Sequence, residues 1–328
     1  MSSNFLKNKT ILVTGGTGSF GKNFVKYLLT NPEIKKVIVF SRDELKQSVM
    51  QKEIKDERLR FFLGDIRDLP RLQRAFHGVD LVVHAAALKQ VPTLEYNPFE
   101  AVKTNILGSQ NVIDAAIDQQ VEKVLLISTD KAVQPINLYG STKLCAEKLF
   151  ISGNSYSQNQ SKFSVVRYGN VIGSRGSIVE TLINNKSGKA QITDLNMTRF
   201  WITLDQSFAL VIYALENMLG GEIFVPKIPS MKLVDLFDAL APAVEKEIIG
   251  IRPGEKLHEL LLIKEEAKHA LELEDYFVII PDHYDIFAKD KFSKYFEIGE
   301  KTPPDFIFSS DTNKKWLTKT DFLNIIKF

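Results

Sequence analysis

The chain has 328 residues, a formal net charge of +2 and 25% charged residues, which are ordinary values for one large α/β unit or two modest domains. This charge balance gives no support for a nucleic-acid or acidic partner, and the single cysteine, Cys145, excludes an internal disulfide and is typical of a reducing compartment. Because residues 1–9 lack the apolar core of a signal peptide and no apolar run approaches the about 18 residues of a membrane span, we expect a cytoplasmic protein without membrane contact.

In chain order, the first predicted element is a strand at residues 10–13 that runs into a glycine-rich turn. Gly15, Gly18 and Gly21 are three residues apart, and apolar residues at helical spacing follow them. This order is typical of a dinucleotide site, where glycines admit a pyrophosphate close to the backbone and the helix N-terminus supplies N–H donors. A tight turn without a ligand is the alternative. The predicted cofactor contacts of this turn are Gly15, Thr17, Gly18, Ser19, Phe20 and Gly21.

The second predicted strand, residues 36–40, is followed by Ser41, Arg42 and, one turn later, Lys46. NAD-binding proteins of this kind usually have an acid about 20 positions after the glycines, where it binds the ribose 2′-hydroxyl. A hydroxyl and a guanidinium instead suit a 2′-phosphate, so the sequence favours NADP over NAD. Asp43 leaves the NAD alternative open, and Ser41 could also start a helix-capping box.

The third and fourth predicted strands, residues 59–63 and 81–84, are each followed by further cofactor candidates. The acid after the third strand would contact the adenine or cap the next helix. The small residues after the fourth strand would let the cofactor lie against the backbone, and the lysine would reach the cofactor or a surface carboxylate. We expect His84 to be a packed strand residue and Asn105, in a helical pattern at 99–117, to be either a structural bridge or an orienting residue beside the cofactor. The candidates are Asp65, Ile66, Ala85, Ala86 and Lys89.

The fifth predicted strand, residues 124–127, leads into the stretch where we place the chemistry. Tyr139 and Lys143 lie four residues apart at the start of a helical pattern, and therefore on one face. Since a nearby cation favours phenolate, Lys143 would allow Tyr139, which ordinarily titrates near ~10, to act as a base at neutral pH. The polar residues directly after the strand are Thr129, Asp130 and Lys131.

A sixth strand, at residues 163–167, completes an alternation of strands and helices. It predicts an α/β fold with a Rossmann-type doubly wound parallel sheet and ligands at the carboxyl ends of the strands. We place this domain at residues 1–177 and a smaller, mainly substrate-binding lobe at residues 178–328, with some later segments returning to the first domain. The loop at 168–177 would either clasp a phosphorylated substrate or act as a flexible connector.

Two stretches of the second lobe carry cations suited to a diphosphate. Arg199 lies among aromatic residues, and Arg252 precedes Pro253, which we place in the first turn of a helix. Surface salt bridges are the alternative for both arginines. Residues 265–328 are charged and aromatic, and we assign no chemistry to them.

The glycine turn, the Tyr139–Lys143 pair and the acid after the fifth strand together resemble the extended short-chain dehydrogenase/reductases, which act on nucleotide sugars. Asp130 followed by Lys131, with Tyr139 intact, is similar to the 4,6-dehydratases of this family. A related dehydratase/5-epimerase subgroup tends to have Met in place of Tyr139, and Gln90 stands where His is expected. The members that act on UDP-N-acetylglucosamine and invert C5 are the most similar, over residues 41–46, 84–89, 135–140, 197–201 and 252–256.

This resemblance implies that Lys131 removes the C5 proton of the sugar, that Asp130 protonates the leaving C6 hydroxyl and that Thr129 hydrogen-bonds the 4-oxygen. Tyr139 would take the 4-hydroxyl proton, with NADP tightly bound and recycled. Because a lysine base must be neutral, we expect desolvation or cofactor charge to lower the pKa of Lys131. Implied cofactor contacts also include Tyr139, Lys143 and Val171. Implied substrate contacts are Lys89, Asn170, Arg175, Ser177, Thr193, Arg199, Arg252 and Glu255.

The resemblance further implies a homo-oligomer, a dimer or a hexamer, and UDP-N-acetylglucosamine as the substrate. The product, UDP-2-acetamido-2,6-dideoxy-β-L-arabino-hex-4-ulose, would enter pseudaminic acid biosynthesis and, depending on the host, flagellin glycosylation. A UDP-sugar 4-epimerase shares the glycines, Tyr139 and Lys143 but has no need for an acid and a base at C6 and C5. A non-catalytic NADP-binding protein commonly lacks the Tyr and the Lys. The Asp130–Lys131 pair therefore favours the dehydratase.

Overall fold

The computed structural model describes residues 4–157, 160–174, 176–184, 188–281 and 291–326. The strands are β1 (Thr10–Thr14), β2 (Lys36–Ser41), β3 (Leu59–Leu63), β4 (Leu81–His84), β5 (Lys123–Thr129), β6 (Lys162–Tyr168), β7 (Asn170–Val171), β8 (Lys189–Ile192), β9 (Thr198–Ile202), β10 (Ile223–Pro226), β11 (Ser230–Lys232), β12 (Glu245–Ile248), β13 (Leu260–Leu262), β14 (Ala270–Glu272), β15 (Tyr276–Ile279), β16 (Glu300–Lys301) and β17 (Phe308–Ser309).

The helices are α1 (Ser19–Leu29), α2 (Glu44–Glu53), α3 (Leu69–Phe76), α4 (Val91–Tyr96), α5 (Pro98–Ala101), α6 (Gly108–Asp118), α7 (Leu138–Tyr156), α8 (Ile178–Ile183), α9 (Leu204–Asn217), α10 (Leu233–Leu240), α11 (Lys264–Ala267), α12 (Ser293–Ile298) and α13 (Lys319–Ile326). A π-helical segment (Val102–Leu107) joins α5 to α6, and short 3₁₀ turns lie at Asn4–Leu6 and Asp130–Ala132. None of the helices within the described ranges is long and apolar enough to cross a membrane.

A ten-stranded sheet forms the centre of the molecule, in the order β16-β14-β15-β10-β6-β5-β4-β1-β2-β3. The strands from β10 to β3 pair in parallel. Three antiparallel strands, β15, β14 and β16, extend the β10 edge. The prediction of a Rossmann-type doubly wound parallel sheet is therefore confirmed.

The central strands are buried because helices cover them, as parallel sheets require. Every residue of β1 and β4 is buried, and α1 turns Phe24, Val25 and Leu28 into the core. Helix α1 packs beside α9, whereas α3, α6 and α7 pack in a row. Since the parallel strands end at one edge, the segments after β1, β4, β5 and β6 lie close together there.

A smaller group of elements surrounds a second apolar cluster, which includes Met197, Trp201, Phe237 and Phe322. Its parts are the three-stranded sheet β11-β9-β7, the pair β8–β12 and the helices α8, α10 and α13. Several later strands, β10, β14, β15 and β16, belong to the central sheet instead, and helix α9 packs against that sheet. The assignment of residues 178–328 to a mainly substrate-binding lobe stays a prediction.

Candidate active site

A cleft of about 1270 Å³ opens at the carboxyl edge of the parallel strands. Its walls come from the glycine turn, the loop after β4, the start of α7, the strand β7 and the segment between β12 and β13. The cleft therefore lies where the topology of a doubly wound sheet predicts a ligand. The predicted residues that line it are Gly15, Gly18, Ser19, Phe20, Gly21, Ala85, Lys89, Thr129, Lys131, Tyr139, Lys143, Asn170, Val171, Ser177, Thr193, Arg199, Arg252 and Glu255.

The glycine turn forms a close-packed cradle at the N-terminus of α1. Gly15 has φ +65°, and a Cβ at this position would lie 2.9 Å from the backbone of Ala86. A Cβ at Gly21 would lie 2.5 Å from the carbonyl oxygen of Gly15. The Gly18 N–H donates to that same oxygen at 2.9 Å, and α1 begins at the next residue. Side chains are therefore excluded at Gly15 and Gly21, which leaves the N–H groups at the start of α1 accessible. Such a cradle fits a dinucleotide pyrophosphate.

The polar residues at the end of β2 and after it are Ser41, Arg42 and Lys46. None of the three is among the described residues that line the cleft. Ser41 is buried and accepts a hydrogen bond from Gln47 Nε2 at 3.0 Å. Arg42, half-exposed, lies 3.6 Å from Asp65 Oδ2, and Lys46 lies 2.8 Å from Asp43 Oδ2. A hydroxyl and two cations thus collect at the end of β2, where a ribose phosphate would need them.

Two capping alternatives from the sequence are wrong. Asp43, not Ser41, caps α2 by accepting the Lys46 N–H at 2.9 Å. Asp68, not Asp65, caps α3 by accepting the Arg71 N–H. The Asp65 carboxylate instead accepts three hydrogen bonds from Arg67. Four predicted cofactor residues are not among the described residues that line the cleft: Asp65, Thr17, Ile66 and Ala86.

Asp130 and Lys131 lie at the end of β5, on a 3₁₀ turn. Asp130 is fully buried, and its Oδ1 accepts hydrogen bonds from Thr129 Oγ1 at 2.9 Å and from Lys131 Nζ at 3.1 Å. Its Oδ2 has no hydrogen-bond partner among the described residues. Burial, to which the charge of Glu259 adds, raises the pKa of Asp130. The carboxyl group is therefore predisposed to keep a proton.

Lys131 Nζ lies among three oxygen atoms: Asp130 Oδ1, Glu259 Oε1 at 3.4 Å and Asn170 Oδ1 at 3.4 Å. Burial alone would lower its pKa, but the two carboxylates raise it above the ordinary value for lysine. The expectation that the pKa of Lys131 falls is therefore wrong for the ligand-free protein. The larger cause is the charge of Asp130, and the second is Glu259, a carboxylate that the sequence did not bring to attention.

Tyr139 and Lys143 lie on the first turns of α7, which Asn137 caps by accepting the Gly140 N–H at 2.8 Å. Burial raises the pKa of Tyr139 to about 12, although Lys131 and a hydrogen bond with Thr129 oppose this. Lys143 Nζ donates to the Ile127 carbonyl at 2.8 Å, and burial lowers its pKa to about 8.

The expectation that Lys143 makes the Tyr139 phenol more acidic is therefore wrong in the ligand-free site. The cation that favours the phenolate of Tyr139 is Lys131. The amine of Lys143 is instead directed at the end of β5, where it binds a backbone carbonyl. Helical spacing predicted a shared face correctly, but it did not predict which charge acts on the phenol.

The substrate side of the cleft contains a second group of charges. Arg199, on β9, is buried and donates to the Thr198 carbonyl at 2.7 Å. Its guanidinium lies 3.5 Å from Glu255 Oε1 and 3.9 Å from Glu259 Oε1. Arg199 is therefore part of a buried ion-pair group, which was the alternative to a diphosphate contact. Thr193 is buried in the wall, and Ser177 caps α8 by accepting the Glu180 N–H.

The predicted helix at Pro253 is wrong. Residues 252–255 form a tight turn in which the Glu255 N–H donates to the Arg252 carbonyl at 3.0 Å. Gly254 has φ +77°, which suits the third position of a type II turn after a proline. Asn137 donates to the Gly254 carbonyl at 2.7 Å, so the turn is attached to the start of α7. Arg252 is exposed at the cleft wall, and Arg175 lies outside the described residues.

His84 and Asn105 both have structural roles. His84 hydrogen-bonds Thr14 and Ser109 and stacks on Phe150, so its prediction as a packed strand residue is confirmed. Asn105 Nδ2 donates to the Leu88 carbonyl at 2.9 Å and to Thr142 at 3.0 Å, and its Oδ1 accepts the Leu88 N–H. Of the two alternatives for Asn105, the structure thus supports the bridge.

Sequence reasoning missed three residues of the site: Glu259, Lys256 and Asn137. Asn137 carried a signal, since an Asn before a helical pattern is a preferred N-cap. Glu259 carried none, because its partners Lys131 and Arg199 are distant in sequence, and Lys256 carried none, because it reaches the site through the Val133 carbonyl and Glu259. In the described part of the chain, no group of three His, Cys, Asp or Glu side chains could hold a metal ion.

Residues 11–281 match the family described as "Polysaccharide biosynthesis protein". A UDP-N-acetylglucosamine 4,6-dehydratase (inverting) of Campylobacter jejuni is 49% identical over 324 residues and covers 97% of each chain. A UDP-glucose 4-epimerase of Rickettsia conorii is 45% identical over 305 residues, covering 90% of this chain and 88% of the relative. The X-ray structure of Pen from Bacillus thuringiensis is 39% identical, with a TM-score of 0.89 and 98% coverage of both chains.

The fold and the site define the class: a Rossmann sheet with a glycine cradle, and Tyr139 and Lys143 on one helix beside it, as in the extended short-chain dehydrogenase/reductases. The matched segment spans most of the chain, and relatives more than 40% identical cover nearly all of it. The chain belongs to the polysaccharide biosynthesis protein family of this class.

Proposed function

We propose that the protein is a UDP-N-acetylglucosamine 4,6-dehydratase that inverts C5 of the sugar and uses NADP as a bound, recycled cofactor. The observation that carries the proposal is the acid–amine pair Asp130–Lys131, held 3.1 Å apart, with Lys131 on the wall of the same cleft as Tyr139 and Asp130 fully buried behind it. The Campylobacter jejuni relative of that name, similar over nearly its whole length, supports the same choice. When bound, the nicotinamide would take a hydride from C4 and return it to C6.

The glycine cradle and the end of β2 suit two parts of such a dinucleotide, its central pyrophosphate and its adenosine ribose. The backbone of the cradle and the start of α1 would bind the pyrophosphate. Ser41, Arg42 and Lys46 would surround the ribose 2′-phosphate, which supports NADP over NAD. Both cations already have acidic partners, Asp65 and Asp43, so they would bind the phosphate by exchanging an exposed ion pair.

The residues of the cleft would divide the proton transfers among themselves. Tyr139 would take the 4-hydroxyl proton in its phenolate form, which the Lys131 cation favours and burial opposes, and Thr129 would hydrogen-bond the 4-oxygen. The resulting ketone acidifies the C5–H bond, and Lys131 would remove that proton as the neutral amine. Asp130 would protonate the departing C6 hydroxyl, a role that suits a buried carboxyl whose pKa is raised. Reprotonation of C5 from the opposite face would invert it.

The substrate would enter along the side of the cleft formed by the second group of elements. Asn170 and Lys89 lie on the cleft wall near Lys131, where they would contact the sugar. Arg252, exposed on its turn, would contact the diphosphate. Arg199 would act through the charges it holds, Glu255 and Glu259.

A UDP-sugar 4-epimerase is the second candidate, because the Rickettsia conorii relative carries that name at 45% identity. Both activities need Tyr139, Lys143 and a nicotinamide. Epimerisation does not need a proton donor at C6 and a base at C5, so it gives no reason for Asp130 and Lys131 to lie in contact at the end of β5. The geometry therefore favours dehydration.

Incubation of the purified protein with UDP-N-acetylglucosamine, with NADP⁺ or NAD⁺ added, tests the proposal. Mass spectrometry should find a product that has lost one water, and NMR should find inversion at C5. An isomer of unchanged mass would support the epimerase. Lys131→Ala should keep its affinity for NADP⁺ but lose dehydration by about 10²–10⁴-fold, as for a positioned base. Lys35→Ala, a change of an exposed lysine, should match the wild type.

We further propose that the protein is a cytoplasmic homo-oligomer, a dimer or a hexamer, and that its product enters pseudaminic acid biosynthesis. Light scattering during gel filtration would measure the assembly directly. An L-arabino product would be the form that this pathway consumes, so the NMR measurement at C5 also tests the pathway.

A further inference from the structure

The carboxylate of Glu259 faces Lys131 from the opposite wall of the cleft. Glu259 directly precedes β13 and is only 2% exposed. Its Oε1 lies 3.4 Å from Lys131 Nζ, and Asp130 Oδ1 lies 3.1 Å from the same nitrogen. The amine assigned as the C5 base is thus held between two acids that come from different parts of the chain.

The backbone of Glu259 is fixed by the C-terminal part of the chain. Its N–H donates to Ser310 Oγ at 2.9 Å, and its carbonyl accepts the Ser310 N–H at 2.9 Å. The Ser310 hydroxyl is also 2.6 Å from Thr198 Oγ1, beside Arg199. Glu259 is therefore held in position by Ser310, directly after β17, which is itself bound to Thr198 of β9. The C-terminal region, to which we assigned no chemistry, thus supports the cleft.

The charges around the two acids differ. Besides Lys131, Glu259 has the cations of Arg199 and Lys256, each at 3.9 Å. These three cations hold the pKa of Glu259 below its usual range although burial acts the other way, whereas the pKa of Asp130 is raised. The surroundings thus shift Glu259 towards its charged form and Asp130 towards its protonated form.

We propose that Glu259 is a positioning residue for Lys131, which holds the amine beside Asp130 and stabilises the positive charge that Lys131 gains when it takes the C5 proton. The inference rests on the proposed dehydratase function. A buried carboxylate that orients a base and stabilises its cation serves the same purpose in the Ser-His-Asp triad. Glu259 itself neither gains nor loses a proton in the step.

The step is balanced in atoms and charge. The neutral Lys131 amine takes the proton of C5, and the electron pair of the C5–H bond becomes the second bond between C5 and C6. The bond between C6 and its hydroxyl oxygen breaks, and the oxygen leaves as water with the proton of the Asp130 carboxyl. Lys131 gains one positive charge and Asp130 one negative charge, and Glu259 stays an anion beside the new ammonium.

Removal of the Glu259 charge changes what Lys131 faces. The charged and titratable groups around its amine are Asp130, Glu259, Arg199, Lys89, Lys256 and Tyr139. Without Glu259, three of the remaining groups are cations and Asp130 is the acid left at contact distance among the described residues. The ammonium form of Lys131 would then be less stable and its position less restricted.

The test is Glu259→Gln, which keeps the shape and removes the charge. We expect the limiting kcat for dehydration, measured on the high-pH plateau of the profile, to fall by about 10- to 100-fold, less than the about 10²–10⁴-fold that a positioned base contributes, with KM nearly unchanged. The rising limb of the pH profile of kcat should move to lower pH by about 1 to 3 units, the shift expected when an opposite charge at contact is lost. The isotope effect from deuterium at C5 should increase, because proton removal becomes slower.

A measurement without turnover gives the same information. The pKa of Lys131, followed by its pH-dependent acetylation and mass spectrometry of the peptide, should be lower in Glu259→Gln than in the wild type. Glu259→Asp, which keeps the charge on a shorter side chain, should recover part of both kcat and the pH profile. If Glu259→Gln does not fold, these measurements on Glu259→Asp decide, with shifts in the same direction expected.

Glu222→Gln is the matched control. Glu222 is also a fully buried glutamate, and it accepts hydrogen bonds from Ser164 Oγ at 2.7 Å and Tyr295 Oη at 3.2 Å, but it is not among the described residues that line the cleft. The inference is overturned if Glu259→Gln keeps the wild-type kcat and pH profile, if only its KM changes, or if Glu222→Gln shows the same shifts. Absence of dehydration in the wild-type protein overturns the proposed function first, and with it the inference.

Discussion

Burial acts on every titratable side chain of the cleft, and the charges next to each one decide the outcome. Asp130 has one cation in contact, and its pKa is raised; Glu259 faces three, and its pKa is lowered. Tyr139 and Lys143 both respond mainly to burial, so the pKa values of both shift toward the neutral forms. The ligand-free site therefore favours the protonated form of Asp130, the charged form of Glu259 and the neutral phenol of Tyr139.

Lys143 should reduce the stability of the ligand-free protein at neutral pH. Its pKa of about 8 in the folded state lies below the 10.5 of an ordinary lysine, so between these values the unfolded chain binds more protons. Stability then rises with pH across this window, and the Lys143 contribution should grow by about 2 kcal/mol from about pH 7 to about pH 9.5. Lys143→Met lacks this contribution, so its stability relative to the wild type should fall by that amount over the same range.

Denaturant unfolding at both pH values measures the effect. Lys35→Met, a change at an exposed lysine, should run parallel to the wild type and serves as the control. A constant difference between Lys143→Met and the wild type would show that the amine is not held in its neutral-favouring environment. The variant should also lose activity, because Lys143 is a predicted cofactor contact and the proposed function needs its amine.

At the scale of elements, the site depends on the close approach of α7 to the 3₁₀ turn at Asp130–Ala132. A Cβ at Gly140 would lie 2.1 Å from the Lys131 carbonyl oxygen, so Gly140→Ala must push the helix away from the turn. Tyr139 would then move relative to Lys131, and a displacement of about 1 Å can cost about 10²-fold in rate. We expect kcat to fall by at least about 10-fold and stability by about 1–3 kcal/mol.

Gly153→Ala on the same helix is the control for this change. Its Cβ would meet the side chain of Ile113 at 3.1 Å, which can shift, and it lies far from the cleft. Stability should stay within about 1 kcal/mol, since alanine also favours the helix, and kcat should be unchanged. Equal losses of kcat in the two variants would mean that the contact of Gly140 has no special importance for the site.

The elements also show what the sequence could predict. Strands β3 and β4 were predicted with their observed bounds, because strands of a parallel sheet are continuous apolar runs between turn residues. Strand β15 is such an apolar run and was nevertheless not predicted, whereas β14 and β16 are too short to give a signal. The turn at Pro253 was predicted as a helix because proline suits both, and only the positive φ of Gly254 separates them.

The residues of the candidate site could likewise be predicted only where a local sequence pattern marked them. Residues next to a strand end or at helical spacing, such as Lys131, Tyr139 and Lys143, were found from local pattern and lie in the cleft. Glu259 was missed because its contact with Lys131 joins positions 128 residues apart. The direction of the pKa shift of Lys131 was wrong because the charges of Asp130 and Glu259 together outweigh burial. That of Tyr139 was wrong because burial outweighs the effect of the Lys131 cation.

At the scale of the whole molecule, one buried ion group joins the central sheet to the segment that carries Glu259. Arg167, on β6, lies 2.6 Å from Glu147 of α7 and 2.9 Å from Glu266 of α11. Its guanidinium also donates to the carbonyl of Leu261, two residues after Glu259. Glu147 further accepts a hydrogen bond from Ser128, next to Thr129. Arg167 thus connects the end of β5, which carries Asp130 and Lys131, to the segment that carries Glu259.

Arg167→Met should therefore destabilise the protein strongly. It leaves the fully buried Glu147 without its cation, and removal of one partner from a buried pair costs about 3–5 kcal/mol. Lys7→Met, which breaks the exposed pair with Glu33, should cost at most about 1 kcal/mol. Denaturant unfolding of both variants measures the difference. The double change Arg167→Met with Glu147→Leu should recover much of the loss, because an apolar pair of similar volume replaces the charges without leaving one unpaired. A loss below about 1 kcal/mol in Arg167→Met would mean that water reaches the carboxylates and that the walls of the cleft are held together by packing alone.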